Sequence, residues 1–272
     1  MLRRPAVSGQ FYPADPKVLR SMLESFDPRP AEKTPALGAL CPHAGYVFSG
    51  AVAGKTLSSI RVPDTVLILN PSHHVAGPAF ALWDGGGWQT PLGTVPLHEG
   101  LTAALAALPL VTVEPMAHQA EHAGEVLLPF LQYYNPQVRI AVVCVTASAG
   151  LAALKQFGRS CAGVLIDCGE EDALILASSD LSHESGPRAL DVVKAHDSLV
   201  IEQMEKLDPD GLYRVAREAG VTMCGVLPAA VAMSAVQARG GESGELIARA
   251  TSADSPHGGG SYVVGYAGIV FR

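Results

Sequence analysis

Three histidines in this chain each stand just beyond a short apolar run that ends in a turn. Residues 36–41 stop at Pro42 and deliver His43; residues 65–69 stop at Asn70-Pro71-Ser72 and deliver His73-His74; residues 173–177 stop at Ser178-Ser179-Asp180 and reach His183. Neutral imidazole is the commonest protein metal ligand, and a positioned histidine moves protons near neutral pH. His43 and His73 each lie close to a proline that restricts the local backbone, and they are the first candidate ligands. Cys224 is the candidate third ligand, because it immediately precedes an Ala-rich helical stretch whose N-terminal dipole favours a thiolate. His183 with Asp180 forms a candidate acid–base pair, the carboxylate orienting the imidazole. His122, in Glu121-His122-Ala123-Gly124-Glu125, is expected to open a helix and face the same cleft.

Each of these residues also has a plainer use. Ser179, Asp180 and Ser182 suit caps and turns, and Glu121 and Glu125 suit a helix N-terminus. His98, His118, His196 and His257 lack comparable surroundings and receive no chemistry here. His74 is left open, since only one imidazole of a doublet usually aims inward, and Cys41, two residues before His43, is read as core or as a residue behind the ligands.

The apolar runs read as buried strands because they are short, continuous and bounded by turn residues. Helical spacing falls at residues 17–26, 49–60, 97–108, 121–134, 151–167, 187–206 and 210–218, and from Cys224 to about residue 238. Strands are expected at 110–114, 139–145 and 172–179, with two late ones at 245–252 and 261–271 pairing antiparallel. Residues 79–83 and 88–90 flank Asp84-Gly85-Gly86-Gly87 and are expected to form a hairpin. Strands alternating with helices predict an α/β fold: a single domain over 1–272 whose mostly parallel central sheet is flanked by helices. Residues 1–35 form an N-terminal arm ending in a Pro-rich connector, too small to bury a core of its own. In such sheets ligands bind beyond the carboxyl ends of the strands, which is where the histidines fall.

Composition narrows the class. The chain has 272 residues, 48% of them hydrophobic, and a formal charge of -7. Its nineteen Lys and Arg are scattered, so no basic footprint for nucleic acid exists. No run approaches the roughly 20 apolar residues of a membrane span, and no apolar run follows Arg3-Arg4, so neither a membrane nor an export signal is expected. Five cysteines with no C-x-x-C pair suit a reducing, cytoplasmic setting. The stretch from Gly50 to Thr56 imitates a phosphate-binding loop, but that frame needs glycine where Ser49 stands. Neither a G-x-S-x-G elbow nor an H-E-x-x-H pair occurs.

Taken in order, these segments resemble the Memo family: Val7-Ser8-Gly9-Gln10-Phe11-Tyr12-Pro13, Pro42-His43-Ala44-Gly45-Tyr46, Asn70-Pro71-Ser72-His73-His74, the 121–125 segment with Leu128-Pro129-Phe130, residues 178–183, and Cys224-Gly225. The resemblance implies the fold of class III extradiol ring-cleaving dioxygenases, whose iron is held by two histidines and a glutamate. It implies His43, His73 and Cys224 as metal ligands, with a cysteine where the dioxygenases carry a carboxylate. His183 takes the place of the acid–base histidine, and His122 lines the pocket. The resemblance implies iron, and a thiolate, softer than a carboxylate, shifts the preference towards copper, or towards zinc in a closed site; iron or copper is expected first. Bacterial and archaeal relatives are associated with an AMMECR-like protein and a radical SAM protein, which are therefore candidate partners. The expected function is a metal-dependent redox enzyme on a small-molecule or peptide ligand. The alternatives are a non-catalytic partner- or peptide-binding protein and a copper- or iron-handling protein.

Overall fold

Apolar side chains on every residue of a strand require cover on both faces, and this sheet has it. The computed structural model describes residues 2–28, 33–74 and 76–272. Its strands are β1 (Gly38–Cys41), β2 (Thr65–Pro71), β3 (Phe80–Leu82), β4 (Trp88–Thr90), β5 (Gly93–Val95), β6 (Val111–Val113), β7 (Arg139–Val145), β8 (Leu174–Ser178), β9 (His183–Ser185), β10 (Gly244–Thr251) and β11 (Tyr262–Phe271). Its helices are α1 (Pro16–Phe26), α2 (Tyr46–Ser58), α3 (Glu99–Ala106), α4 (Met116–Gln119), α5 (Leu128–Tyr134), α6 (Leu151–Asp167), α7 (Ala189–Glu205), α8 (Pro209–Glu218) and α9 (Val226–Ala238).

The main sheet runs β10-β11-β1-β8-β2-β7-β3-β6, with β9 paired to β11. Its middle four strands, β1-β8-β2-β7, are parallel, while β11 joins β1 and β3 joins β7 antiparallel. Nearly every residue of the four is buried, as strands covered by helices on both sides require. Alternation divides them between two cores. Leu67, Leu69, Ala141, Val143, Ile175 and Ala177 pack with α3, α6, α8 and α9; Val66, Ile68, Ile140, Val142, Leu174 and Leu176 pack with α1, α2 and α5. The close crossing of α6 and α9 depends on Gly158, where a Cβ would strike the Val231 carbonyl and Ser234.

The arm is tied down by charge as well as by apolar contact. Arg3 forms a one-residue bridge to Trp88, stacks over its ring at 4.0 Å, and pairs with Glu125 at 2.6 Å, both side chains being fully buried. Glu125 also accepts from the Ala6 and Val7 amides and from the Tyr12 hydroxyl. Residues 29–32 of the expected connector lie outside the described residues.

Two local expectations are corrected. Residues 80–82 lie in the main sheet, held by β7 and β6, and β4 makes its hairpin with β5 instead. The intervening glycines carry the chain out of the sheet, and the Trp83 indole donates to the Gly86 carbonyl. Residues 121–134 are not one helix. The Glu121 carboxylate accepts from the Ala123 amide at 2.9 Å and holds 121–124 as a turn; a 3-10 turn at Glu125–Leu127 then leads into α5. Lys55 is an exposed residue within α2, so the phosphate-loop imitation is ordinary helix.

Candidate metal centre

Adjacency of β1, β8 and β2 is what makes the site. Their carboxyl ends carry His43, the 178–183 turn and His73 to one edge of the sheet. The Asp180 carboxylate accepts from the His43 and Ala44 amides at 2.8 and 3.2 Å, stitching the turn after β1 to the turn after β8.

The hydrogen bonds set the imidazole tautomers. Ser178 donates its hydroxyl to the Ala123 carbonyl at 2.6 Å. Its oxygen, 2.8 Å from Nδ1 of His43, is therefore left to accept from Nδ1–H. That turns the lone pair of His43 Nε2 towards the cleft, where it pairs with the Cys224 thiol at 3.3 Å. His73 is arranged the same way. Its backbone amide donates to one oxygen of Glu121 at 2.6 Å and its Nδ1–H to the other at 2.9 Å, freeing Nε2. A carboxylate behind an imidazole is the usual device for orienting a metal-binding histidine. His122 stacks on His73 with centroids 4.8 Å apart and stands edge-on to His43 at 5.4 Å and to Phe11 at 4.9 Å. The ligand atoms of His43, His73 and His122 lie within 4.8 Å of one another, a cluster that could hold a metal ion. Two nitrogens bonded to one ion at about 2.1 Å stand at most about 4.2 Å apart, so closing on an ion takes only small side-chain movements.

Electrostatics hold two of the three imidazoles neutral and so ready for a cation. Burial, reinforced by His73, lowers the His43 pKa to about 3, and burial lowers that of His122 to about 4, so both are neutral at pH 7. Burial opposes ionisation of Glu121, but the hydrogen bonds and charge of His73 and the Ala123 amide outweigh it and bring Glu121 to about 2. Burial also lowers His73, yet Glu121 more than compensates and raises it above its ordinary value. A permanent carboxylate thus sits behind the most open of the three imidazoles.

The other expected site residues fall around this cluster. Cys224 touches His43 but lies outside the group of three imidazoles, and its thiol is 3.6 Å from the Asp180 carbonyl. Burial, and then the Asp180 charge, push its pKa well above the ordinary thiol value; the expected lowering at the α9 N-terminus is not what prevails. Gly225 is required beside it, because a Cβ there would collide with the Ser179 side chain and the Ser178 carbonyl. Burial lowers the His183 pKa and raises that of Asp180. The expected orienting bond from Asp180 to His183 is corrected: the Asp180 carboxylate is taken by the His43 and Ala44 amides, and His183 bonds through Nδ1 to the Tyr262 hydroxyl at 3.0 Å instead. His74 is exposed, its ring 6.4 Å from that of His73, and Cys41 is fully buried in the core behind β1. His118 bonds to the Ala81 carbonyl, and His98 caps α3 and pairs with Glu170, so both serve structure.

A cleft of about 570 Å³ opens over the cluster. His43, His73, His122, His183 and Asp180 form its polar end; Phe11, Phe48, Val264 and Tyr266 form its apolar walls, and among the described residues no Lys or Arg lines it. His257, from the Gly-rich loop before β11, joins the lining although nothing in its local sequence announced it. Glu121 and Ser178 were missed as orienting groups for a related reason: each reveals itself only through partners brought from distant segments. The donor set fits a transition-metal ion, since both key imidazoles turn Nε2 to the cleft and a thiol pairs with one of them.

An α/β fold with a histidine cluster at the carboxyl ends of its strands therefore defines the class. The Memo-like protein model matches residues 3–270, and the chain belongs to the Memo family. It is 40% identical to the MEMO1 family protein MK0963 of Methanopyrus kandleri, covering 100% of this chain and 99% of that one. It is 35% identical to a MEMO1 family protein of Aquifex aeolicus, covering 99% of both. A crystal structure of the uncharacterized protein JW3007 from Escherichia coli K12 aligns over 84% of this chain and 98% of that chain, with a TM-score of 0.48 and 15% identity. Among the described residues no helix is long and apolar enough to cross a membrane.

Proposed function

We propose that the protein is a non-haem redox enzyme that binds one iron or copper ion through His43, His73 and Cys224, with His183 as its acid–base residue. The observation carrying this reading is the pair of oriented imidazoles: Ser178 and Glu121 each occupy an Nδ1 and so turn an Nε2 to the cleft. The 3.3 Å separation of Cys224 Sγ from His43 Nε2 supports a shared ion, because both can bond one at ordinary lengths. A bound ion would supply Lewis acidity and one-electron chemistry. The chain's own residues supply the rest. Glu121 fixes His73, Asp180 holds the His43 turn, and the apolar walls exclude water from a ligand. His183, kept neutral by burial, is ready to take or give a proton.

The distances also favour a second ligand set, His43, His73 and His122, in which Cys224 stands beside the ion. Anaerobic loading with Fe(II), Cu(I) or Zn(II), followed by metal counting, separates the two. The first reading expects one ion per chain, lost in His43→Ala and Cys224→Ser and kept in His122→Ala. Retention in Cys224→Ser with loss in His122→Ala selects the three-imidazole set. Unchanged content in His43→Ala removes the site. The five free thiols, none in a disulfide, support a cytoplasmic setting. The proposed partners are a peptide or the AMMECR-like and radical SAM proteins, and exposed Val47 and Tyr262, which line the cleft, offer apolar surface for such a contact. Pull-down by metal-loaded and metal-free protein checks that dependence.

A further inference from the structure

We infer that Tyr262 is the positioning residue for His183 and that the two side chains form a proton path between the inner cleft and solvent. This rests on the reading of the cleft as a reaction site, but the contact itself follows from strand pairing. β9 and β11 pair antiparallel with His183 opposite Val264 and Ser185 opposite Tyr262. His183 and Tyr262 are thus diagonal neighbours on one face, a spacing that long and aromatic side chains can bridge. The Tyr262 hydroxyl sits 3.0 Å from Nδ1, and the two ring centroids are 6.3 Å apart.

The two ends of the His183 ring differ sharply. Nε2 is buried and has no hydrogen-bond partner among the described residues, although the residue lines the cleft. An unpartnered buried nitrogen is costly, and the cleft that His183 lines is the side from which a partner can reach it. Nδ1 is joined to a tyrosine that is 56% exposed. The backbone is clamped as well: the His183 amide donates to Thr222 Oγ1 at 2.7 Å, and the Thr222 hydroxyl lies 2.9 Å from the His183 carbonyl. Asp180 and Glu184 favour a charged His183, whereas His73 opposes it, so the ring is surrounded by groups of both signs.

The transfer balances without any co-reactant. A ligand proton passes to Nε2, the proton on Nδ1 passes to the Tyr262 oxygen, and the Tyr262 hydroxyl proton passes to water. One proton enters the ring at the cleft side and one leaves at the solvent side; the His183 tautomer is exchanged. Running in reverse, the same path delivers a proton to the ligand. Such a path needs both neutral tautomers to be accessible, and a hydroxyl that both donates and accepts satisfies that need.

The test is nitrogen-15 NMR of histidine-labelled, full-length protein without added metal, so it does not depend on activity or on the ligand set. In the parent, both ring nitrogens of His183 should resonate between the protonated and unprotonated limits. In Tyr262→Phe, the Nδ1 signal should move to the unprotonated limit, with the Nε2–H tautomer dominant. Replacing Tyr262 by 3,5-difluorotyrosine, a stronger donor of the same shape, should move Nδ1 in the same direction by a smaller amount. Identical His183 spectra in all three proteins would overturn the inference, and so would a parent already locked in one tautomer. Metal counting on Tyr262→Phe should match the parent, which keeps a failure of the metal reading separate from a failure of this one.

Discussion

Glu121 and Glu125 lie four residues apart in one buried segment, yet they serve two regions with opposite requirements. Glu125 closes a structural network. Arg3, the Ala6 and Val7 amides and the Tyr12 hydroxyl all converge on it and hold the N-terminal arm against the body. Glu121 faces the cleft, and its two oxygens are spent on the amide and ring of His73 and the amide of Ala123. The first carboxylate is satisfied by a permanent cation; the second leaves its partner histidine with a free nitrogen. A buried charge fully paired inside the protein builds the fold, and one paired to a half-open imidazole builds a site.

Substitution should separate the two. Glu125→Ala leaves the Arg3 guanidinium buried without its counter-charge, a change that costs about 3–5 kcal/mol. Denaturant unfolding should show that loss, while metal content measured well below the melting temperature should stay at one ion per chain. A loss under about 1 kcal/mol would mean that the arm is held by its apolar contacts alone. Glu121→Gln should do the reverse. Loss of the carboxylate behind a metal-binding histidine weakens affinity by about 10–100-fold, or about 1.4–2.7 kcal/mol of binding. Competition with a chelator reads this directly, and an unchanged affinity would show that His73 needs no orienting carboxylate.

The pH dependence of metal binding sharpens the ligand assignment. Burial holds the Cys224 thiol protonated well above its ordinary pKa, so its ligation must release a proton. Apparent affinity should therefore rise with pH between about 6 and 8, gaining close to tenfold per unit from this group. Cys224→Ser should lower that slope by about one proton. His43 and His122, with pKa values near 3 and 4, contribute nothing to the slope in this range, whereas His73, raised by Glu121, adds its own proton release equally in the parent and in Cys224→Ser. An unaltered slope in Cys224→Ser would move the third ligand to His122. The smallest effect is expected at Lys55: Lys55→Ala on the exposed face of α2 should change stability by less than about 0.5 kcal/mol and leave metal binding intact.

Much of the architecture is legible in the sequence because it depends on local pattern. The runs before His43, His73 and Asp180 are short and almost wholly apolar, and they became β1, β2 and β8 side by side in the sheet. The helix at 151–167 has its expected ends in α6. Errors arose where a distant partner decides. Residues 80–82 join β7 rather than β4 because the main sheet offers them two neighbours, and residues 121–124 leave the helix because Glu121 caps its own turn. His43, His73 and His183 line one cleft from their expected places after strands, whereas His122, expected to open a helix, reaches it from the turn that Glu121 holds. The orienting roles of Ser178, Glu121 and Tyr262 were not legible, since serine, glutamate and tyrosine carry no local mark of the histidine they meet across the fold.

The most direct measurement is an anomalous-scattering map from crystals of metal-loaded protein, collected on both sides of the metal's absorption edge. The account predicts one peak in the cleft, about 2.0–2.2 Å from Nε2 of His43 and of His73 and about 2.3 Å from Sγ of Cys224. A peak bonded to neither His43 nor His73, or loaded crystals with no peak in the cleft, would contradict it.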